Sequence, residues 1–146
     1  LLAYKIENLV KDLETTTNVY LGELSDGRFS LNFVVDNDKL NISLTDNGSE
    51  INITALSSGE LARVNTATLL AIRKLMSSLS KANINVLVLD EIIGVLDSVG
   101  KERLVEVLME EPDLNTFIVS HGWTHPLLEK IEVAKEEDGI SYLAKG

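Results

Sequence analysis

The chain has 146 residues, 45% of them apolar and 25% charged, which suits one globular domain with a real core. Thirteen Lys and Arg against 23 Asp and Glu give a net charge of −10, so the basic excess of a free-standing nucleic-acid binder is missing. Cysteine is absent, which excludes a disulfide scaffold and thiolate metal sites and agrees with a reducing cytoplasm. No apolar run approaches the roughly 20 residues that cross a bilayer, and no basic segment leads into an apolar signal core. The expectation is a cytoplasmic protein with no membrane partner.

Residues 1–16 read as a helix, with Leu2, Ile6, Leu9 and Leu13 spaced four, three and four apart. This is the seam of a coiled coil or an ordinary helix-packing face, and two heptads fit both. The stripe starts at the first residue without a cap, as in a segment cut from a longer helix. Residues 17–55 read as antiparallel strands. Ser25-Asp26-Gly27, Asp36-Asn37-Asp38 and Asp46-Asn47-Gly48 are turn signals, and Phe29-Ser30-Leu31-Asn32-Phe33 and Leu40-Asn41-Ile42-Ser43-Leu44 alternate apolar and polar.

From residue 56 the period becomes helical. Leu61, Val64, Thr68, Leu69, Ile72, Leu75 and Leu79 share one face of a helix that runs to about Leu79. A strand follows at residues 85–89, and its unbroken apolar run predicts burial on both faces of a parallel sheet. A helix over residues 98–110 stops before Pro112. Residues 116–119 form a second short strand, residues 126–130 a short helix, and Glu137-Asp138-Gly139 the turn of a final hairpin.

Three local patterns carry chemistry, each with a plain alternative. Ser57 precedes a helix with Glu60 three residues on, which is a capping box. Such a helix start also leaves backbone N–H groups open to a phosphate. Val86-Leu87-Val88-Leu89 runs into Asp90-Glu91, where the carboxylates either end the strand in a polar turn or hold Mg²⁺ and activate a water at the strand's C-terminal end. Ser120-His121 ends the next strand, where an imidazole is either a surface residue or a donor to a terminal phosphate.

Taken in order, these patterns resemble the C-terminal half of an ABC-type ATPase head. Residues 56–60 look like the ABC signature motif and residues 86–91 like Walker B. Residues 94–97 look like the D-loop and His121 like the switch histidine. Ile92-Ile93-Gly94 follows where transporter domains usually carry Pro, and the N-terminal heptads and strand-rich lead-in resemble SMC-like DNA repair ATPases. Among those, the chain resembles the SbcC-like ATPase subunit of double-strand-break repair nucleases and its phage recombination relatives. The implied fold is α/β: a C-terminal lobe with a parallel-sheet core, an antiparallel strand-rich lead-in over residues 17–55, and a coiled-coil stub over residues 1–16. Residues 56–146 would form the motif-bearing lobe of one domain.

The resemblance implies ATP and Mg²⁺ as cofactors. Asp90 would support Mg²⁺, mostly through water, and Glu91 would polarise the attacking water as general base. His121 would contact the γ-phosphate. Ser57 and Gly59, with Ser58 between them, would meet the γ-phosphate of ATP on a second head, and Asp97 would order that interface. Ser58 departs from the glycine usual at its position. The implied partners are the N-terminal half of the same head, a second head across ATP, a nuclease subunit, and DNA through the assembled complex.

No Gly-x-x-x-x-Gly-Lys-[Ser/Thr] loop occurs in these residues. The segment Gly94 to Gly100-Lys101 has one residue too many between its glycines and Glu102 where a hydroxyl belongs. Nothing here wraps the β-phosphate, so the expectation is half of an active site that turns over ATP only when the other half is supplied. The alternatives are a non-catalytic assembly module and a transporter nucleotide domain, the latter disfavoured by the heptads.

Overall fold

The computed structural model describes residues 2–80, 83–137 and 139–144. The Leu2 side chain and Asp138 lie outside the described residues. Helix α1 (Leu2–Ser25) leads into a meander of β1 (Phe29–Asp36), β2 (Lys39–Asp46) and β3 (Ser49–Ile51). Helix α2 (Ser58–Leu79) then precedes β4 (Val86–Asp90), α3 (Ser98–Met109) and β5 (Asn115–Val119). A hairpin of β6 (Glu132–Lys135) and β7 (Ser141–Ala144) follows.

Helix α1 runs nine residues beyond the expected end at residue 16, so residues 17–25 are helical rather than the start of the strands. The run Thr15-Thr16-Thr17 disfavours helix only weakly. Burial wins: Thr17, Tyr20, Leu21 and Leu24, on one helical face, are all 5% exposed or less. Leu13 packs against the core, whereas Ile6 and Leu9 stay exposed. Ser25-Asp26-Gly27 is therefore a helix stop. The Gly27 N–H donates to the Gly22 carbonyl at 2.7 Å, and Asp26 takes a left-handed φ of 55°, which makes a Schellman ending.

The other two turn signals close hairpins. Asn37 and Asp38 (φ 45° and 64°), and Asn47 and Gly48 (φ 49° and 84°), build two-residue turns of the I′ kind. They fix the register Asp36↔Lys39 and Asp46↔Ser49. Inward-facing Phe29, Leu31 and Phe33 of β1 join the core. The free edge of β1 is satisfied by α1. Asn18 donates to the Leu31 carbonyl and accepts from the Leu31 N–H, both at 2.8 Å, and Glu14 accepts from the Phe33 N–H at 2.7 Å.

Helices α1, α2 and α3 are stitched at one point. Arg73 of α2 donates to Glu111 just past α3 at 3.2 Å and to the Ile84 carbonyl at 2.8 Å. The Tyr20 hydroxyl of α1 also donates to Glu111. Burial, and then the Glu111 carboxylate, push the Tyr20 phenol well above its ordinary range.

Strands β4 and β5 pair in parallel, Val86↔Asn115 through Asp90↔Val119. The expected burial on both faces of β4 is not found. Leu89 is 5% exposed and Leu87 packs on the core, but Val86 and Val88 are 51% and 59% exposed. One face of this two-stranded sheet, with Leu87, Leu89 and Ile118, lies on the core, and the other is about half exposed. The expected helix over residues 126–130 is a turn instead, with the Leu128 N–H donating to the His125 carbonyl at 3.0 Å. Five residues are too few to nucleate an isolated helix.

Candidate active site

The parallel pairing of β4 and β5 brings the two chemically loaded strand ends side by side. Asp90 lies opposite Val119, so Glu91 and the Ser120-His121 segment leave the same edge of the sheet. The Glu91 N–H donates to the Val119 carbonyl at 3.3 Å, which extends the pairing one step beyond the strand. Glu91 then turns out with φ 59°, a left-handed conformation uncommon for a residue with a Cβ. Buried Ile92, Ile93 and Leu96 anchor the following loop. Asp90, Glu91 and His121 all remain exposed.

The second cluster forms around the start of α2. Ser57 is the N-cap: its Oγ accepts from the Glu60 N–H at 3.2 Å, while Glu60 Oε1 accepts from the Ser57 N–H at 2.9 Å. The Ser57 hydroxyl proton is thus left to donate elsewhere. Outside this box Arg28 donates to Glu60 at 2.9 Å and, through two nitrogens at 2.8 Å each, to Asp46. Glu60 is held below the usual carboxylate range, first by the Ser57 backbone N–H. Asp46 is held low by Arg28. Ser58 is exposed at the first turn. A Cβ on Gly59 would stand 2.5 Å from the Val95 carbonyl oxygen, so only glycine lets the loop over residues 94–97 dock there.

Asp97 ends that loop and caps α3, accepting from the Gly100 N–H at 2.7 Å. The same Oδ1 accepts from Arg63 of α2 at 2.8 Å. A concavity of about 300 Å³ runs from α2, at Ala62, Asn65 and Leu69, to Val88, Asp90 and Glu91. All seven sequence-assigned residues therefore fall in two groups: Asp90, Glu91 and His121 at the strand ends, and Ser57, Ser58, Gly59 and Asp97 at the helix starts.

Arg28, Arg63 and His125 escaped the sequence reading. His125 accepts from the Leu127 N–H at Nδ1 (3.1 Å), which leaves Nε2 to donate to Glu102 at 3.2 Å. The partners of Arg28 and Arg63 lie 18 to 34 positions away, and no local pattern marks them. Among the described residues no group of three or more His, Cys, Asp or Glu is placed to hold a metal. The strand-end carboxylates fit a Mg²⁺ that is held by one or two carboxylates, waters and substrate phosphates.

The chain has the fold of a segment of an SMC/ABC-type ATPase head. It is 48% identical over 143 residues to the probable exonuclease subunit 2 of Escherichia phage T5, covering 98% of this chain. It is 33% identical over 91 residues to exonuclease subunit 2 of Escherichia phage RB69, covering 61% of this chain. The chain spans 23% and 16% of those relatives' lengths. No family model matches it. A structure from work on ATP-driven dimerization and DNA-stimulated activation of SMC ATPases superposes with a TM-score of 0.71 at 19% identity, over 97% of this chain and 87% of that one. An Smc head bound to the C-winged helix domain of ScpA gives 0.70 at 21% identity, over 92% of this chain and 42% of that one.

Proposed function

We propose that the chain is the C-terminal half of an ATP-hydrolysing head in an SMC-like subunit that works with a nuclease partner in DNA double-strand-break repair or recombination. The reading places it in the cytoplasm of a bacterial or phage-infected host cell. Bound Mg²⁺ would neutralise charge on the transferring phosphoryl group. Asp90 would hold that ion, mostly through water, and Glu91 would take the proton of the attacking water. His121 would hold the γ-phosphate from the neighbouring strand end. The free Ser57 proton, the Gly59 N–H and the exposed Ser58 would meet the γ-phosphate on a second head, and Asp97 would lie at the interface between heads.

The observation that carries this reading is the parallel pairing of β4 and β5, from whose adjacent ends Glu91, which lines the concavity, and the Ser120-His121 segment both leave. The N-terminal half of the head would supply the missing phosphate-wrapping loop and cover the half-exposed face of β4 and β5. DNA would be met by the assembled complex, since the net charge of this half is −10.

The test is an ATPase assay on this chain, alone and with the N-terminal half. No turnover alone, and turnover on completion, is the expected result. Glu91→Gln in the completed protein should cut turnover by at least about a hundredfold and leave an ATP-bound dimer. Turnover by the chain alone that Glu91→Gln abolishes would overturn the half-site reading. An inactive complete protein with intact dimers would instead favour an assembly module.

A further inference from the structure

Arg63, like Arg73, holds its side chain largely out of water, but it alone of the described arginines leaves a buried nitrogen unpartnered. Its side chain is 17% exposed, its Nη2 bonds Asp97 at 2.8 Å, and its Nε is buried without a hydrogen-bond partner. A buried, unpartnered donor costs stability, and its persistence calls for a reason. The arginine is not needed to cap α3, because the Gly100 N–H already bonds the same Asp97 oxygen at 2.7 Å. What the guanidinium adds is a link from the side of α2 to the end of the loop over residues 94–97.

The surroundings are shaped for that link. A Cβ on Gly100 would stand 2.8 Å from Arg63 Nη2 and 3.0 Å from Asp97 Oδ1. A few residues away, Gly59 admits the Val95 carbonyl, where a Cβ would stand 2.5 Å from the oxygen. The backbone approach at Gly59, possible only at glycine, and the close approach of the Arg63 tip at Gly100 therefore hold the start of α2 against the loop and the start of α3. Arg63 bridges them with a charge-assisted bond.

We propose that Arg63 is a positioning residue that clamps the loop over residues 94–97 to the helix start at residues 57–59. The two surfaces that would meet a second head then move as one body. This rests on the function proposed above. Arg63 touches no phosphate itself. It acts through Asp97, holding the Asp97 carboxylate and the Ser57-Ser58-Gly59 backbone in one fixed relation, so that ATP bound on the second head aligns both or neither.

The test uses the full-length ATPase subunit with Arg63→Ala, Arg63→Lys, Gly100→Ala and the control Glu91→Gln. Arg63→Ala should lower kcat about tenfold and weaken ATP-driven dimerization, while ATP affinity of the monomeric subunit stays within about twofold. Arg63→Lys keeps the charge but not the fork and should fall between Arg63→Ala and wild type. Gly100→Ala crowds the Arg63 guanidinium tip most, and Asp97 Oδ1 and Leu96 less, while the gain in helix propensity offsets that crowding, so it should leave the melting temperature close to wild type and still lower kcat. That variant keeps the test alive should Arg63→Ala not fold. Wild-type kcat in both Arg63→Ala and Gly100→Ala would overturn the clamp, as would matched losses of kcat, ATP affinity and melting temperature. If Glu91→Gln leaves turnover unchanged, the ATPase reading itself fails and the clamp falls with it. If Glu91→Gln is inactive and the Arg63 variants are normal, only the clamp fails.

Discussion

At the scale of single residues, the site is governed by where a Cβ fits. Gly59 has no room for one, because the Val95 carbonyl oxygen occupies its place at 2.5 Å, and that neighbour is backbone rather than a mobile side-chain tip. Gly59→Ala must push α2 from the loop. Denaturant unfolding of the chain should show a loss of about 1–3 kcal/mol, the usual cost of overpacking a tight contact. Ser58 tells the opposite story. The glycine expected there from the resemblance is replaced, yet the side chain is exposed, so Ser58→Gly should change stability by under about 1 kcal/mol. A fall as large as that of Gly59→Ala would show that the Ser58 side chain is engaged. Glu91 is the third case: its φ of 59° is a conformation that a non-glycine residue holds at a cost, at the place where hydrolysis would need a carboxylate.

At the scale of elements, Arg28 ties the exit of α1 to the entry of α2. It joins Asp46 at the end of β2 with Glu60 in the capping box, and it lies 4.6 Å over the Phe29 ring. Both carboxylates are held below their ordinary values, Glu60 first by the Ser57 backbone N–H and Asp46 first by Arg28. A carboxylate with a depressed pKa stabilises the fold above its unfolded value, and that contribution is lost as pH falls through the folded value. The melting temperature should therefore drop as pH is lowered below about 4.5, the ordinary value for Glu60. Arg28→Ala should flatten the acid limb by the same small amount that it removes near neutrality, small because the bridge is exposed. An unchanged acid limb would mean that the bridge does not form in solution. The capping box, both I′ turns and the order of β4 and β5 were legible in the sequence because each rests on adjacent residues. The extension of α1 through residues 17–25 was not, since three β-branched threonines hide a helical face that burial rewards. Arg63 and Arg28 were invisible for a related reason: their partners are brought close only by the finished fold.

At the scale of the whole molecule, the apolar run in β4 read as doubly buried but is covered on one side. Val86, Val88, Phe117 and Val119 are each between 46% and 59% exposed on the face opposite buried Leu89. On α2, Leu69, Ile72, Met76 and Leu79 continue an exposed stripe at helical spacing, and Leu69 lines the same concavity as Val88. An exposed apolar surface this continuous marks an interaction site, and the function proposed here assigns it to the N-terminal half of the head. Paired substitution Val88→Ser and Phe117→Ser separates surface from core. In this chain alone both side chains are half in water, so the pair should cost about 1 kcal/mol or less in unfolding. Full burial of a Val or Phe side chain contributes roughly 1.5–3 kcal/mol. Association with the N-terminal half should therefore weaken by at least tenfold, measured by calorimetric titration of one half into the other. Unchanged association would remove this face from the contact. A large loss of stability in the isolated chain would instead mean that the face is already covered by the chain itself.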